Sequence, residues 1–232
     1  MKIQSSVALV TGANRGIGLA LANALVARGA ARVYAAARDP KSVTARGVVP
    51  LRLDVTDPAQ IAAAAAEAAD VTLLINNAGI ASATSILAPS ARLREELDTN
   101  VFGVLDTSRA FAPVLARNGG GTLVNILSVV SWISSPTLAT YAVTKSAAWS
   151  VTNALRNALR DQHTRVIGAH FGFVDTDLTA GIDAPKLRPD DVAAAILDGI
   201  EAGRDEIVVD DFTRQVKLGL SQDPGLYLKP RG

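Results

Sequence analysis

The chain has 232 residues; 49% are hydrophobic, and 23 Lys or Arg stand against 22 Asp or Glu, for a formal net charge of +1. That balance, with no basic cluster, argues against nucleic acid or an anionic membrane as a partner. The absence of cysteine excludes disulfides and zinc–thiolate centres, and the apolar content suffices for a sizeable core.

The N-terminal stretch MKIQSSVALVTG carries one Lys and a short apolar run that ends at Gly12. It is too short for a secretory signal. No apolar stretch is long enough to span a bilayer, so a soluble, cytoplasmic protein is expected. Apolar runs at Val7–Val10, Arg32–Ala36, Val48–Leu53, Val71–Ile75, Thr122–Leu127, Val166–Phe171 and Ile207–Val209 predict strands. Several are hydrophobic at consecutive positions, as strands covered on both faces are. Helical patterns fall between them at Ile17–Ala27, Pro58–Ala69, Ala91–Ala116, Tyr141–Arg160 and Pro189–Ala202. Asp57 and Pro58 sign one helix start, with Gln60 placed for a capping box. Pro189 opens another, followed by Asp190 and Asp191, which favour a helix N-terminus. Alternation of strand and helix predicts an α/β fold: one doubly wound parallel sheet of seven strands with helices on both faces. The expectation is a single domain over residues 1–232, with a cofactor half to about 120 and a catalytic and substrate half from about 121. No linker or repeat interrupts it.

Directly after the first strand, TGANRGIG sets Gly12, Gly16 and Gly18 at the entry to a helix. Glycine there permits a tight turn and close approach of backbone to phosphate. The helix N-terminus offers free N–H groups and a positive dipole to a pyrophosphate. The glycine pattern alone is weak, and the strand-before, helix-after context strengthens it. The second strand ends AAARDP: Ala37 stands where an acid would hydrogen-bond the ribose 2′-OH of NAD, and Arg38 follows it. Arg15 in the glycine turn is a second cation. Two arginines suit the 2′-phosphate of NADP(H), although Asp39 is an acid close to the same place.

The segment SWISSPTLATYAVTKSAAWS contains Tyr141 and Lys145, four residues apart and so on one helical face. Free tyrosine is a poor proton shuttle near neutrality. A neighbouring ammonium is expected to lower its pKa. Such a pair alone is common on helix surfaces; it gains meaning from what precedes it. Ser128 stands thirteen residues earlier at a strand end, where alone it reads equally as a turn residue. A serine hydrolase would need a histidine base beside Ser128, and only His163 and His170 exist. No G-x-S-x-G elbow occurs, and two scattered histidines form no metal cluster.

TGANRGIG, LDVTD, NNAG, Asn100, Ser128, the Tyr141/Lys145 pair and FGFVDTDL occur in the order that resembles the short-chain dehydrogenase/reductase family over nearly the whole chain. The resemblance implies a Rossmann-type fold and NADPH-dependent reduction of ketones or aldehydes, reversible as alcohol oxidation. Tyr141 would be the general acid. Lys145 would lower its pKa and hydrogen-bond the nicotinamide ribose. Ser128 would bind the substrate oxygen, and Asn100 would hold a water in the proton relay. The same resemblance assigns Gly12, Asn14, Arg15, Gly16, Ile17 and Gly18 to the cofactor. Arg38, Asp54 and Val55 join them near the adenosine, with Asn76, Asn77, Ala78 and Gly79 along the cleft. Gly172, Val174 and Thr176 complete the set at the nicotinamide end. Phe171 replaces the Pro usual before Gly172. Only twelve residues separate Thr176 from Pro189, so an open, shallow pocket is expected. Its walls are Ala81, Val130, Trp132, Leu138, Phe173 and Leu178, and they suit a small neutral carbonyl compound. Trp132 reads equally as core or subunit contact. The last strand, EIVVDD, is an edge that invites pairing, and Trp149 suits an interface. A homo-oligomer, dimer or tetramer, is expected, with monomeric relatives also known. The competing readings are a non-catalytic NADP(H) sensor that binds a partner protein, and C=N or C=C reduction or epimerisation on the same scaffold.

Overall fold

A computed structural model describes residues 1–228; positions 229–232 lie outside the described residues. The strands are β1 (Val7–Thr11), β2 (Arg32–Ala37), β3 (Val49–Arg52), β4 (Leu73–Asn76), β5 (Thr122–Ile126), β6 (Arg165–His170) and β7 (Glu206–Val208). They form one sheet in the order β3-β2-β1-β4-β5-β6-β7, and every neighbouring pair is parallel. The order reverses between β1 and β4. That switch point opens a crevice beyond the strand C-termini, where doubly wound sheets bind ligands.

The helices are α1 (Gly16–Ala27), α2 (Pro58–Glu67), α3 (Ala91–Leu97), α4 (Gly103–Arg117), α5 (Ala139–Ala158), α6 (Pro189–Glu201) and α7 (Asp211–Leu218). Two cores flank the sheet. On one face Ala8, Val10 and Ile75 pack against Leu21 and Leu25 of α1 and Ile196 and Leu197 of α6. On the other, Leu9, Leu74 and Leu123 meet Ile61 of α2, Phe111 and Leu115 of α4 and Leu155 of α5. Successive residues of β1 thus point to opposite cores, which is why the central strands are apolar without alternation.

Two expectations need correction, and one helix was not expected. The helix predicted over Ala91–Ala116 is broken by a π-helical segment, Asp98–Phe102, which separates α3 from α4 and carries Asn100. Such insertions occur at functional sites. Helix α7 had no expectation; only Thr213 and Val216 of its eight residues are buried, so its apolar signal is slight. Asp210 caps it by accepting from Thr213 N at 2.9 Å. At α2, Asp57 does cap, accepting from Ala59 N at 2.9 Å and Gln60 N at 3.3 Å. Gln60 does not complete the capping box, however. Its Oε1 accepts from Asp54 N at 3.0 Å and its Nε2 donates to Asp57 Oδ2 at 2.7 Å.

Candidate active site

The glycine turn is built as a cradle. Gly12 and Gly16 have φ of +65° and +54°, a region that L side chains rarely occupy. A Cβ on Gly18 would lie 2.2 Å from Gly12 O, so only glycine lets α1 approach β1 so closely. Helix α1 begins with no side-chain cap at Arg15. Its first N–H groups therefore face the crevice, and this arrangement fits a dinucleotide pyrophosphate.

The turn after β4 is tied to this cradle. Thr11 Oγ1 accepts from Asn77 N at 3.0 Å and Ala78 N at 2.9 Å. Asn77 Nδ2 donates to Thr11 O at 2.9 Å and Gly12 O at 3.2 Å. Asn77 thus shapes the cleft through its side chain. Asn76, expected along the cleft, is instead buried beneath it, donating to Asn125 Oδ1 at 2.9 Å and Ser108 Oγ at 3.0 Å. Asn14, Ile17, Ala78 and Gly79 retain some exposure at the crevice.

At the adenosine end Arg38 is exposed directly after β2. Asp39 is turned away into its own 3₁₀ turn, accepting from Lys41 N at 3.0 Å. Arg15 forms an ion pair with Asp177 at 3.0 Å. Asp54 accepts from Thr56 N and Oγ1 at 3.0 and 2.8 Å, so it holds the turn after β3. Val55 is buried, with its side chain against Gly103.

The catalytic candidates converge at the ends of β5 and β6. Lys145, 4% exposed, donates from Nζ to Ile126 O at 2.8 Å. A Cβ on Gly79 would lie 3.9 Å from the same Nζ. Burial lowers this lysine's pKa from 10.5 to about 8. Its Nζ stands 5.5 Å from the centre of the Tyr141 ring. Against the expected acidification of Tyr141, burial first, and the charge of Glu96 second, push the phenol above its ordinary value. Desolvation opposes the phenolate more strongly than the ammonium supports it.

Asn100, fully buried, accepts from Ile80 N at 2.9 Å and donates to Ile80 O at 2.8 Å and Thr144 Oγ1 at 3.0 Å. It joins the β4 loop to α5 one residue from Lys145. Ser128 begins a 3₁₀ turn, its Oγ accepting from Val130 N at 3.3 Å and donating to Phe171 O at 3.5 Å. The second contact lies at the limit of a hydrogen bond, so the hydroxyl is free to turn to another acceptor.

His170 is fully buried, and its Nδ1 meets the carbonyl, not the hydroxyl, of Ser128 at 3.1 Å. Burial lowers its pKa to about 4. It cannot serve as the base of a serine nucleophile. Its ring stacks on Trp132 with centroids 4.0 Å apart, and Trp132 meets Trp149 edge-on at 6.3 Å. Trp149 is half-buried and packs against Trp132 on one side. Val130, Trp132 and Tyr141 share an apolar cluster with Val216 of α7 and Leu226, two residues the sequence did not flag. Leu138, Phe173 and Leu178 are not part of it; Leu138 is buried and Leu178 is exposed.

Phe171 is buried in the main core, and its carbonyl accepts from Val129 N at 2.9 Å. Gly172 N donates to Asp210 Oδ2 at 2.9 Å, which fastens α7 to the crevice. Thr176 and Val174 lie where the following segment starts. Leu187 N donates to Phe173 O at 2.8 Å and Asp175 N to Leu187 O at 2.9 Å, so the two ends of that segment are pinned together. A hollow of about 560 Å³ bordered by Met1, Ser5, Thr72, His163 and Arg165 lies at the other edge of the sheet, away from these groups.

A doubly wound sheet, a glycine cradle at its switch point and a tyrosine–lysine pair at its C-terminal edge define a dinucleotide-dependent oxidoreductase. Residues 6–186 match the model of the short chain dehydrogenase family. The chain is 31% identical over 218 residues to the 3-oxoacyl-(acyl-carrier-protein) reductase of Salmonella typhimurium, covering 88% of this chain and 85% of that one. It is 33% identical over 223 residues to a galactitol 2-dehydrogenase of Cereibacter sphaeroides, covering 84% and 88%. A short chain dehydrogenase of Burkholderia cenocepacia, solved in complex with NADP, superposes with a TM-score of 0.92 at 37% identity over 97% of this chain and 96% of that one. The chain belongs to the short chain dehydrogenase family. No helix among the described residues is long and apolar enough to cross a membrane.

Proposed function

We propose that this protein is an NADPH-dependent reductase of small neutral ketones and aldehydes, reversible as an alcohol dehydrogenase. One observation carries the reading: Lys145 Nζ is buried and fixed on Ile126 O at 2.8 Å, beside Gly79, with Tyr141 one turn away on the same helix. A buried lysine held at the cofactor crevice serves chemistry better than packing. The solved relative with bound NADP supports the cofactor, as do exposed Arg15 and Arg38.

When bound, the reduced nicotinamide supplies the hydride that the carbonyl carbon accepts as the C=O electron pair moves to oxygen. Tyr141 gives its proton to that oxygen. A phenol kept neutral by burial suits this step, because a nascent alkoxide is a far stronger base than a phenolate. Ser128 Oγ donates to the same oxygen by leaving its weak contact with Phe171 O. Lys145 would donate to the ribose of a bound nicotinamide, and its ammonium stabilises the phenolate left on Tyr141, which solvent reprotonates. Asn100 holds the Ile80 backbone and α5 in register beneath these groups. Gly12, Gly16 and the α1 N-terminus bind the pyrophosphate. Val130 and Trp132 form the apolar wall, with Val216 and Leu226 behind them.

Copies pair through the β7 edge as a dimer or tetramer; a monomer by sedimentation velocity overturns that part. For the reaction, Tyr141→Phe is expected to lower kcat for NADPH-dependent ketone reduction by about 10²–10⁴-fold with an unchanged circular dichroism spectrum. Near wild-type turnover in a folded variant overturns the assignment.

A further inference from the structure

Among the described residues Glu96 is the only fully buried acid, at 1% exposure. It lies on α3, one helical turn before Asn100. Its Oε1 accepts from Ser82 N at 2.6 Å and Ser82 Oγ at 2.8 Å. Its Oε2 is buried with no hydrogen-bond partner, and among the described residues no cation pairs with it. Thr140 Oγ1, on the residue just before Tyr141, is likewise buried and unpartnered.

Topology brings these atoms together. Both α4, which continues α3 and the π segment, and α5 are crossovers between parallel strands, so they run in the same direction. Asn100 Nδ2 bonds Thr144 Oγ1 between them at 3.0 Å. One turn back from this bond lie Glu96 on α3 and, next to Tyr141, Thr140 on α5, and α3 packs against α5. A carboxylate with one free oxygen in a dry contact acts on its neighbours with little screening.

We propose that Glu96 is a positioning residue for the reaction: it holds the Ser82 loop through one oxygen, and through the charge of the other it keeps Tyr141 in the protonated form that gives its proton to the carbonyl oxygen. This rests on Tyr141 being the proton donor. Other charged or titratable groups lie on the elements around Tyr141. Lys145 on α5 favours the phenolate. His170 of β6 stacks behind Trp132 and is neutral with a pKa of about 4. Lys217 of α7, 5.9 Å from the Trp132 ring centre, is paired with Glu206. Glu96 is thus the anion on the acid side of the balance, and its charge raises the phenol's pKa.

The test is a titration of tyrosinate absorbance, which needs neither cofactor nor substrate. The chain has three tyrosines, so subtracting the curve of Tyr141→Phe isolates Tyr141. Glu96→Gln keeps an acceptor oxygen for Ser82 and removes the charge. It is expected to move the Tyr141 transition to lower pH. Alcohol oxidation, which needs the phenolate as base, should reach its plateau in kcat at lower pH than in the wild type. Glu96→Asp, which keeps the charge, should hold the transition near its wild-type position. A transition unmoved in Glu96→Gln overturns the proposal, even where Tyr141→Phe is inactive and the reductase reading stands. Should Glu96→Gln not fold, Glu96→Met removes the charge without burying a new dipole and carries the same expectation.

Discussion

Arg15 Nη1 stands 3.0 Å from Asp177 Oδ2, joining the glycine turn to the segment that follows Thr176. Both side chains are largely exposed, so the pair contributes on the order of 1 kcal/mol or less to stability. Under the proposed function its consequence is competition, because a 2′-phosphate on the cofactor would draw on the same guanidinium. Asp177→Asn is expected to tighten NADPH binding about two- to fivefold at low ionic strength, to leave NADH unchanged, and to lose its effect in high salt. Calorimetric titration with each nucleotide measures this. Weaker NADPH binding in the variant would make Asp177 a support for Arg15 and not a competitor.

Arg38 and Asp39 end β2 side by side but face different tasks. Asp39 caps its own 3₁₀ turn, its Oδ1 accepting from Lys41 N at 3.0 Å. Arg38 is exposed at the crevice. Replacing Arg15 and Arg38 together by Gln is expected to cut kcat/KM with NADPH by at least about tenfold, the scale of lost hydrogen bonds to a charged group. The value with NADH should stay within about twofold. A wild-type enzyme that prefers NADH would overturn the arginine argument at once.

Gly18 has a steric role that the fingerprint alone does not quantify. An added Cβ would meet Gly12 O at 2.2 Å and Asn77 Nδ2 at 2.5 Å. Gly12 O and Asn77 are backbone and a committed side chain, so neither yields cheaply. Gly18→Ala is expected to cost about 1–3 kcal/mol and to weaken nucleotide binding by opening the cradle. Urea unfolding and NADPH fluorescence titration report the two effects separately. A variant with wild-type values in both would show that α1 can retreat from β1 without loss.

The strands and the cofactor cradle were legible in the sequence because their signals are local. Consecutive apolar residues mark buried parallel strands, and TGANRGIG follows one directly. Tyr141 and Lys145 were legible because helical spacing alone puts them on one face. What stayed hidden depends on contacts between distant segments. Glu96 reads as an ordinary surface acid in LREELDTN; only the packing of α3 on α5 buries it. The reversal at Tyr141 has the same origin, since i, i+4 spacing reveals the ammonium but not the desolvation or the carboxylate across the helix pair. The stack of Trp132 on His170 joins residues from two strand ends, and the bond from Gly172 N to Asp210 joins β6 to α7. The π insertion at Asn100 left no mark in a helical pattern that continues on both sides of it.

Lys145 gives the pH dependence its sign. Its pKa in the folded protein is about 8 against an ordinary 10.5, because burial penalises the ammonium. Between those values the unfolded chain holds the proton and the folded chain has lost it, so stability rises with pH. Below about 8 both states are protonated and the destabilisation is complete; above about 10.5 both are neutral and it is gone. The full shift corresponds to at most roughly 3 kcal/mol. The hydrogen bond to Ile126 O at 2.8 Å favours whichever form donates, so it does not reverse the sign. Lys145→Met removes this titration while keeping an apolar stem of similar length. The variant without cofactor is expected to be more stable than wild type at pH 7, with the difference shrinking as pH climbs from 8 toward 10. Thermal melts of the two proteins side by side cancel every other titrating group. A stability difference that is flat across that window would mean that the Lys145 ammonium is solvated in the folded chain, and its burial at the crevice would then no longer explain its chemistry.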